Sequence, residues 1–147
     1  MIALGCDHGG FAIKEAIKKY LDESEIEYND FGTYSEESVD YPIYAKKVAD
    51  AVASGECEKG VLCCGTGIGI SIAANKVKGI RAAVVTNEFC AEMTRRHNDA
   101  NIIAMGGRVI SEEQAVKFTK IFLETPFDGD RHIKRVQMIT DIENENC

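Results

Sequence analysis

No stretch of this chain approaches the roughly 18 consecutive apolar residues that a membrane span requires. No two cysteines stand in a C-x-x-C arrangement, and basic side chains are outnumbered, 17 Lys and Arg against 24 Asp and Glu. The first absence excludes a spanning helix. The second, with Cys63 next to Cys64 in a chain of 147 residues, removes a structural metal and a small disulfide scaffold as readings of the six cysteines. Cys6, Cys57, Cys63, Cys90 and Cys147 read as plain thiols. The third leaves a formal charge of −7 and argues against broad nucleic-acid binding, which needs a clustered basic face to displace phosphate counterions. A secretory start is missing as well: MIALGCDHGG reaches Asp7 and His8 before a long apolar stretch forms, so a cytoplasmic location is the expectation.

What is present is a globular composition, 45% hydrophobic. A chain near 150 residues buries roughly 70% of the surface it exposes when unfolded, enough for one domain, expected over residues 1–147. Short β-branched runs alternate with helix-period segments. Strands are expected at Met1 to Cys6, Ile26 to Phe31, Gly60 to Cys64, Ile80 to Val85 and Asn101 to Met105. The first helix places Ile13, Ala16, Ile17, Tyr20 and Leu21 on one face and turns Lys14, Lys18 and Lys19 toward solvent. Pro42 suits the first turn of a second helix and Gly55 its end. Ser111 with Gln114 reads as a capping box. The alternation implies right-handed crossovers and a five-stranded parallel sheet covered on both faces, a three-layer α-β-α sandwich of Rossmann-like or flavodoxin-like type. An extra C-terminal helix from about Arg131 carries Ile133, Val136, Ile139 and Ile142 on one stripe, which packs on the domain or on a partner subunit.

Ligands of such sheets bind beyond the carboxyl ends of the strands. Here those ends carry Asp7-His8-Gly9-Gly10, Gly65-Thr66-Gly67-Ile68-Gly69 and Gly106-Gly107-Arg108, expected on one rim. The CGTGIG loop opens a helix, where free backbone N–H groups hold an anion and glycine lets a ligand approach. It matches no dinucleotide fingerprint and no C-x5-R phosphatase loop, because Ile70 stands where each needs another residue, and it lacks the Lys-Ser/Thr ending of a Walker loop. Cys64 precedes the loop. Its thiol reads either as a general base activated by the helix start or as a small hydrophobe ending a strand. His8, His97 and His132 sit at strand ends or in loops, where capping and catalysis are both open to them. Five of the six arginines lie beyond residue 90. Arg131 and Arg135, one helical turn apart, suit either a phosphate or surface ion pairs.

Taken together, GCDHGGFAIKEAI, SVDYPIYA, CGTGIGISIAANKVKGIRAA, RRHNDANIIAMGGRVI and DRHIKRV resemble the ribose-5-phosphate isomerase B family over essentially the whole chain. That family lies in a larger group that includes galactose-6-phosphate isomerase subunits. The resemblance implies aldose–ketose isomerisation of ribose 5-phosphate through a cis-enediolate, without metal or organic cofactor. It makes Cys64 the base and gives ring opening to His97 and Thr66. The anion hole falls to Gly65, Gly67, Ile68 and Gly69 with Asn98. Sugar hydroxyls fall to Asp7, and the phosphate to His8, Arg131, Arg135 and Arg108, with Tyr41 bordering the pocket. Another branch carries a glutamate base where Ile70 stands here and lacks the cysteine; Ile70 cannot act as a base, so the resemblance points to Cys64. It also implies a homodimer with shared sites, or a tetramer built from it, with His97 and Asn98 reaching the other chain's Cys64 loop. Two alternatives are a six-carbon substrate, allose or galactose 6-phosphate, and a non-enzymatic phosphate-sensing module. A receiver-type sensor needs an aspartate ending the third strand, where Cys64 stands.

Overall fold

The computed structural model describes residues 1–146; Cys147 lies outside them. Strands β1 (Ile2–Cys6), β2 (Tyr28–Asp30), β3 (Lys59–Cys64), β4 (Ala82–Val84) and β5 (Ile102–Gly106) form one parallel sheet in the order β2-β1-β3-β5-β4. Around it stand α1 (Phe11–Glu23), α2 (Tyr41–Ala53), α3 (Ile68–Ala74), α4 (Glu88–Arg96), α5 (Glu112–Glu124) and α6 (Arg131–Asn146). The expected three-layer α/β architecture is present, flavodoxin-like in its winding, with β5 seated between β3 and β4.

The period-2 alternation of a strand divides the interior. Val61 and Cys63 of β3 join Leu4, Ile17, Met105, Phe118 and Phe122 in the core under α1 and α5. Leu62 and Cys64 join Val48, Ile70, Ile102 and Ala104 in the core under α2 and α3. The central strands are buried on both faces, which is why they read as continuous apolar runs. β2 and β4 are shorter than the apolar runs around them, each pairing on one side only.

Local signals hold where they rest on backbone chemistry. Pro42 lies in the first turn of α2, Gly55 follows its end at φ +85°, and Ser111 and Gln114 form the reciprocal capping box of α5. Lys14 departs from expectation: it is 1% exposed, because Asp30 lies opposite it at the end of β2. The stripe on α6 departs as well. Ile133, Ile139 and Ile142 stay largely exposed, and only His132 of that helix is buried.

Register fixes two edges of the sheet. Gly60 pairs with Ile102 at one end of the central ladder and Cys64 with Gly106 at the other, four residue steps or roughly 13 Å apart. Each of α1 to α5 follows a strand and returns the chain from the carboxyl edge to the amino edge. The start of α3 therefore lies at the carboxyl edge, while the end of α4, the end of α5 and the start of α6 lie at the amino edge.

Candidate active site

Three glycine-bearing loops nest at the carboxyl edge. Gly107 donates to Cys64 O (2.8 Å), Arg108 to Gly65 O (3.0 Å) and Asp7 to Cys63 O (3.1 Å). The approach leaves no room for side chains: a Cβ on Gly107 would stand 2.3 Å from Gly9 O. Gly67, at φ +83°, turns the chain into α3, and a Cβ there would meet the Met105 backbone at 3.0 Å.

The reactive side chains expected on one rim are on it. Cys64, 5% exposed, has its Sγ turned toward the loop, where it accepts the Gly67 N–H at 3.1 Å. Thr66 is exposed, and its hydroxyl accepts the Ile68 N–H at 3.2 Å. Asp7 uses Oδ1 for the N–H groups of Gly9 (2.9 Å) and Gly10 (3.2 Å). Among the described residues Oδ2 has no hydrogen-bond partner. His8 accepts the Val39 N–H on Nδ1 at 3.2 Å, so its neutral ring carries the proton on Nε2. The Arg108 guanidinium lies over Gly65, with Nη1 3.2 Å from where a Cβ would be. The Tyr41 ring covers Gly69, its Oη 2.9 Å from the corresponding point.

His97, Asn98, Arg131 and Arg135 are not there. His97 caps the end of α4 and stacks on His132 with centroids 4.3 Å apart and planes at 12°, at the amino edge. The Asn98 carbonyl is held by Arg81 Nε at 3.2 Å. Arg96 donates to Asp128 at 3.0 Å, and Asp128 N–H returns a bond to Arg96 O at 3.0 Å, fixing the entry to α6. Arg131 and Arg135 are exposed and form no ion pair among the described residues. Arg95, by contrast, is a structural arginine: it is buried and donates to Thr125 O (3.2 Å), Asp99 (2.8 Å) and Ala100 O (2.7 Å).

His97, Asp128 and His132 present ligand atoms within 4.8 Å of one another, which invites a metal reading. Stacked rings send their in-plane lone pairs side by side, and Arg96 already holds Asp128. Burial pushes the His132 pKa down, helped by His97, Arg131 and Arg135 and opposed by Asp128. This surrounding positive charge favours an anion over a cation. The stacked partner of His97 was not legible in the sequence, since the contact joins two separate segments, DRHIKR and RRHNDAN.

Comparison with known proteins agrees along the full chain. Residues 2–139 match the family model described as Ribose/Galactose Isomerase. Ribose-5-phosphate isomerase B of Escherichia coli (strain K12) is 50% identical, over 97% of this chain and 95% of its own. A putative sugar phosphate isomerase of Bacillus subtilis (strain 168) is 52% identical, over 99% and 98%. Among solved structures, ribose-5-phosphate isomerase B of Clostridium thermocellum superposes with TM-score 0.98 at 51% identity, covering 99% of both chains. That of Mycoplasma genitalium, with bound ribulose-5-phosphate, gives 0.93 at 36% identity, covering 98% of this chain and 96% of its own.

Proposed function

The chain belongs to the ribose/galactose isomerase family, and from that premise we propose that it interconverts ribose 5-phosphate and ribulose 5-phosphate, with Cys64 as the base. The observation that carries this reading is the buried Cys64 Sγ at the mouth of a glycine loop, receiving the Gly67 N–H at 3.1 Å. That N–H fixes the sulfur at the loop.

Ring opening moves a proton from the anomeric hydroxyl to the ring oxygen, the task assigned to His97 and Thr66. Cys64 then takes the C2 proton and returns it at C1. Meanwhile O2 loses its proton and O1 gains one, so the aldehyde becomes a hydroxymethyl group and C2 a ketone. Backbone N–H groups of the Gly65–Gly69 loop other than those of Gly67 and Ile68, which already donate to Cys64 Sγ and Thr66 Oγ1, serve the enediolate oxygens together with Asn98. Removing one such donor typically costs ~10²- to 10³-fold in rate. Asp7 Oδ2 accepts a sugar hydroxyl. His8, Arg131, Arg135 and Arg108 hold the phosphate.

These groups lie on opposite edges of one chain's sheet, separated by the roughly 13 Å ladder, so a site containing both needs a second copy. A homodimer joins the amino edge of one chain to the carboxyl edge of the other and offers the exposed isoleucines of α6 a partner surface. A metabolic role in the cytoplasm accords with this reading.

The family spans ribose and galactose isomerases, which keeps a six-carbon aldose phosphate as the second substrate class. A ketose-formation assay on ribose, allose and galactose phosphates tests both. Turnover selective for ribose 5-phosphate is the expected outcome. Equal efficiency for five- and six-carbon substrates overturns the selectivity, and no turnover of any overturns the function.

A further inference from the structure

We infer that Lys14, through the 31–40 loop, is a positioning residue for the substrate phosphate. The inference rests on the isomerase reading with His8 as a phosphate ligand.

Lys14 is the most deeply buried charge among the described residues, 1% exposed. Its ammonium has three donors and three acceptors around it: Asp30 Oδ1 and Oδ2, both at 2.9 Å, and Thr33 O at 2.6 Å. The rings of Phe11 and Tyr34 lie 5.5 and 5.3 Å from Nζ. Asp30 also accepts the Gly32 N–H at 2.9 Å and Lys18 Nζ at 3.0 Å. Burial alone would raise the Asp30 pKa, but Lys14, Gly32 and Lys18 together hold it below the ordinary carboxylate value.

This cluster is larger than the anchoring of one short edge strand requires, and its reach explains why. Beyond β2 the chain continues beside β1 through Cys6 N–H to Gly32 O (2.7 Å) and Thr33 N–H to Cys6 O (2.8 Å). Tyr34 OH returns to Asp30 O at 2.8 Å. The first four residues of the loop are thereby fixed, whereas Ser35 to Ser38 are exposed. At the far end Val39 N–H fixes the His8 ring, and two residues on Tyr41 covers Gly69. His8 thus takes its orientation and tautomer from a loop whose seat is the ammonium of Lys14 on α1. A sequence reading that places Lys14 in solvent gives it no such role.

The test compares Lys14→Met and Asp30→Asn with the wild type as intact enzymes. Each variant is expected to raise KM for ribose 5-phosphate roughly tenfold, the equivalent of one weakened charge-assisted hydrogen bond, while kcat changes less than threefold. Combined with His8→Asn, neither variant should raise KM further, because both act through the same ring. His8 ring-nitrogen NMR supplies a readout independent of turnover. The wild type should show one Nε2–H tautomer, and the variants a mixture. If Lys14→Met does not fold, Asp30→Asn, which keeps the side-chain shape, carries the test alone. A lowered melting temperature with unchanged KM and unchanged His8 tautomer overturns the inference, as does an additive effect with His8→Asn. A wild-type enzyme inactive on every sugar phosphate overturns the isomerase reading instead, leaving the tautomer measurement to judge the loop.

Discussion

The two edges of the sheet are built on opposite principles. At the carboxyl edge Cys64 and Asp7 are buried and glycine loops interlock, with backbone donors positioned in advance by the fold. At the amino edge Asn98, Arg131 and Arg135 are exposed, His97 is half-buried, and the apolar stripe of α6 is uncovered. Precision of the kind proton transfer needs comes from the first edge, where neighbouring strands hold each loop. Charge and reach come from the second, where long side chains on helix ends gain from docking against something else. On the proposed reading, one chain then carries two halves of a site that face away from each other.

Four experiments probe the contrast between the edges. The largest effect should come from Cys64→Ala, which removes the proposed base and should lower kcat ~10²- to 10⁴-fold with little change in KM. Near-wild-type turnover would reduce the carboxyl edge to an anion cradle. Next comes complementation: inactive Cys64→Ala and His97→Ala subunits, mixed and allowed to exchange, should recover about a quarter of wild-type activity, since half the dimers are hybrid and each holds one intact site. No recovery after verified exchange would mean that the edges do not meet between copies. Arg135→Ala should raise KM for the sugar phosphate roughly 10- to 100-fold and spare kcat, as for a charge-assisted contact to phosphate. The smallest effect concerns pH. His132 has a folded pKa below its unfolded value, so the unfolded chain binds more protons as pH falls through about 6.5. Thermal stability should therefore decline on acidification below that point, and His132→Gln should flatten the slope; an unchanged slope would remove His132 from the account.

Much of the carboxyl edge was legible because its signals are local. Glycine at Gly65, Gly67 and Gly69 marks a backbone that something approaches closely, and a strand ending at Cys64 places the thiol beside it. Ser111 with Gln114 named its own helix start. The burial of Lys14 is not local: helical spacing puts it off the apolar stripe, and only the return of β2 brings Asp30 and the Thr33 carbonyl close enough to hold a buried ammonium. The stacking of His132 on His97 and the seating of Tyr41 on Gly69 likewise join segments far apart in the chain.

By itself the sequence determined the alternation of strands and helices, their caps, and the residue types at each strand end, since these follow from periodicity and from the conformations open to glycine, proline and serine. The tertiary structure alone decided strand order, the burial of Lys14, and the separation of Cys64 from His97 across the sheet. Those depend on register and on the direction in which each crossover returns the chain, quantities that no local pattern contains.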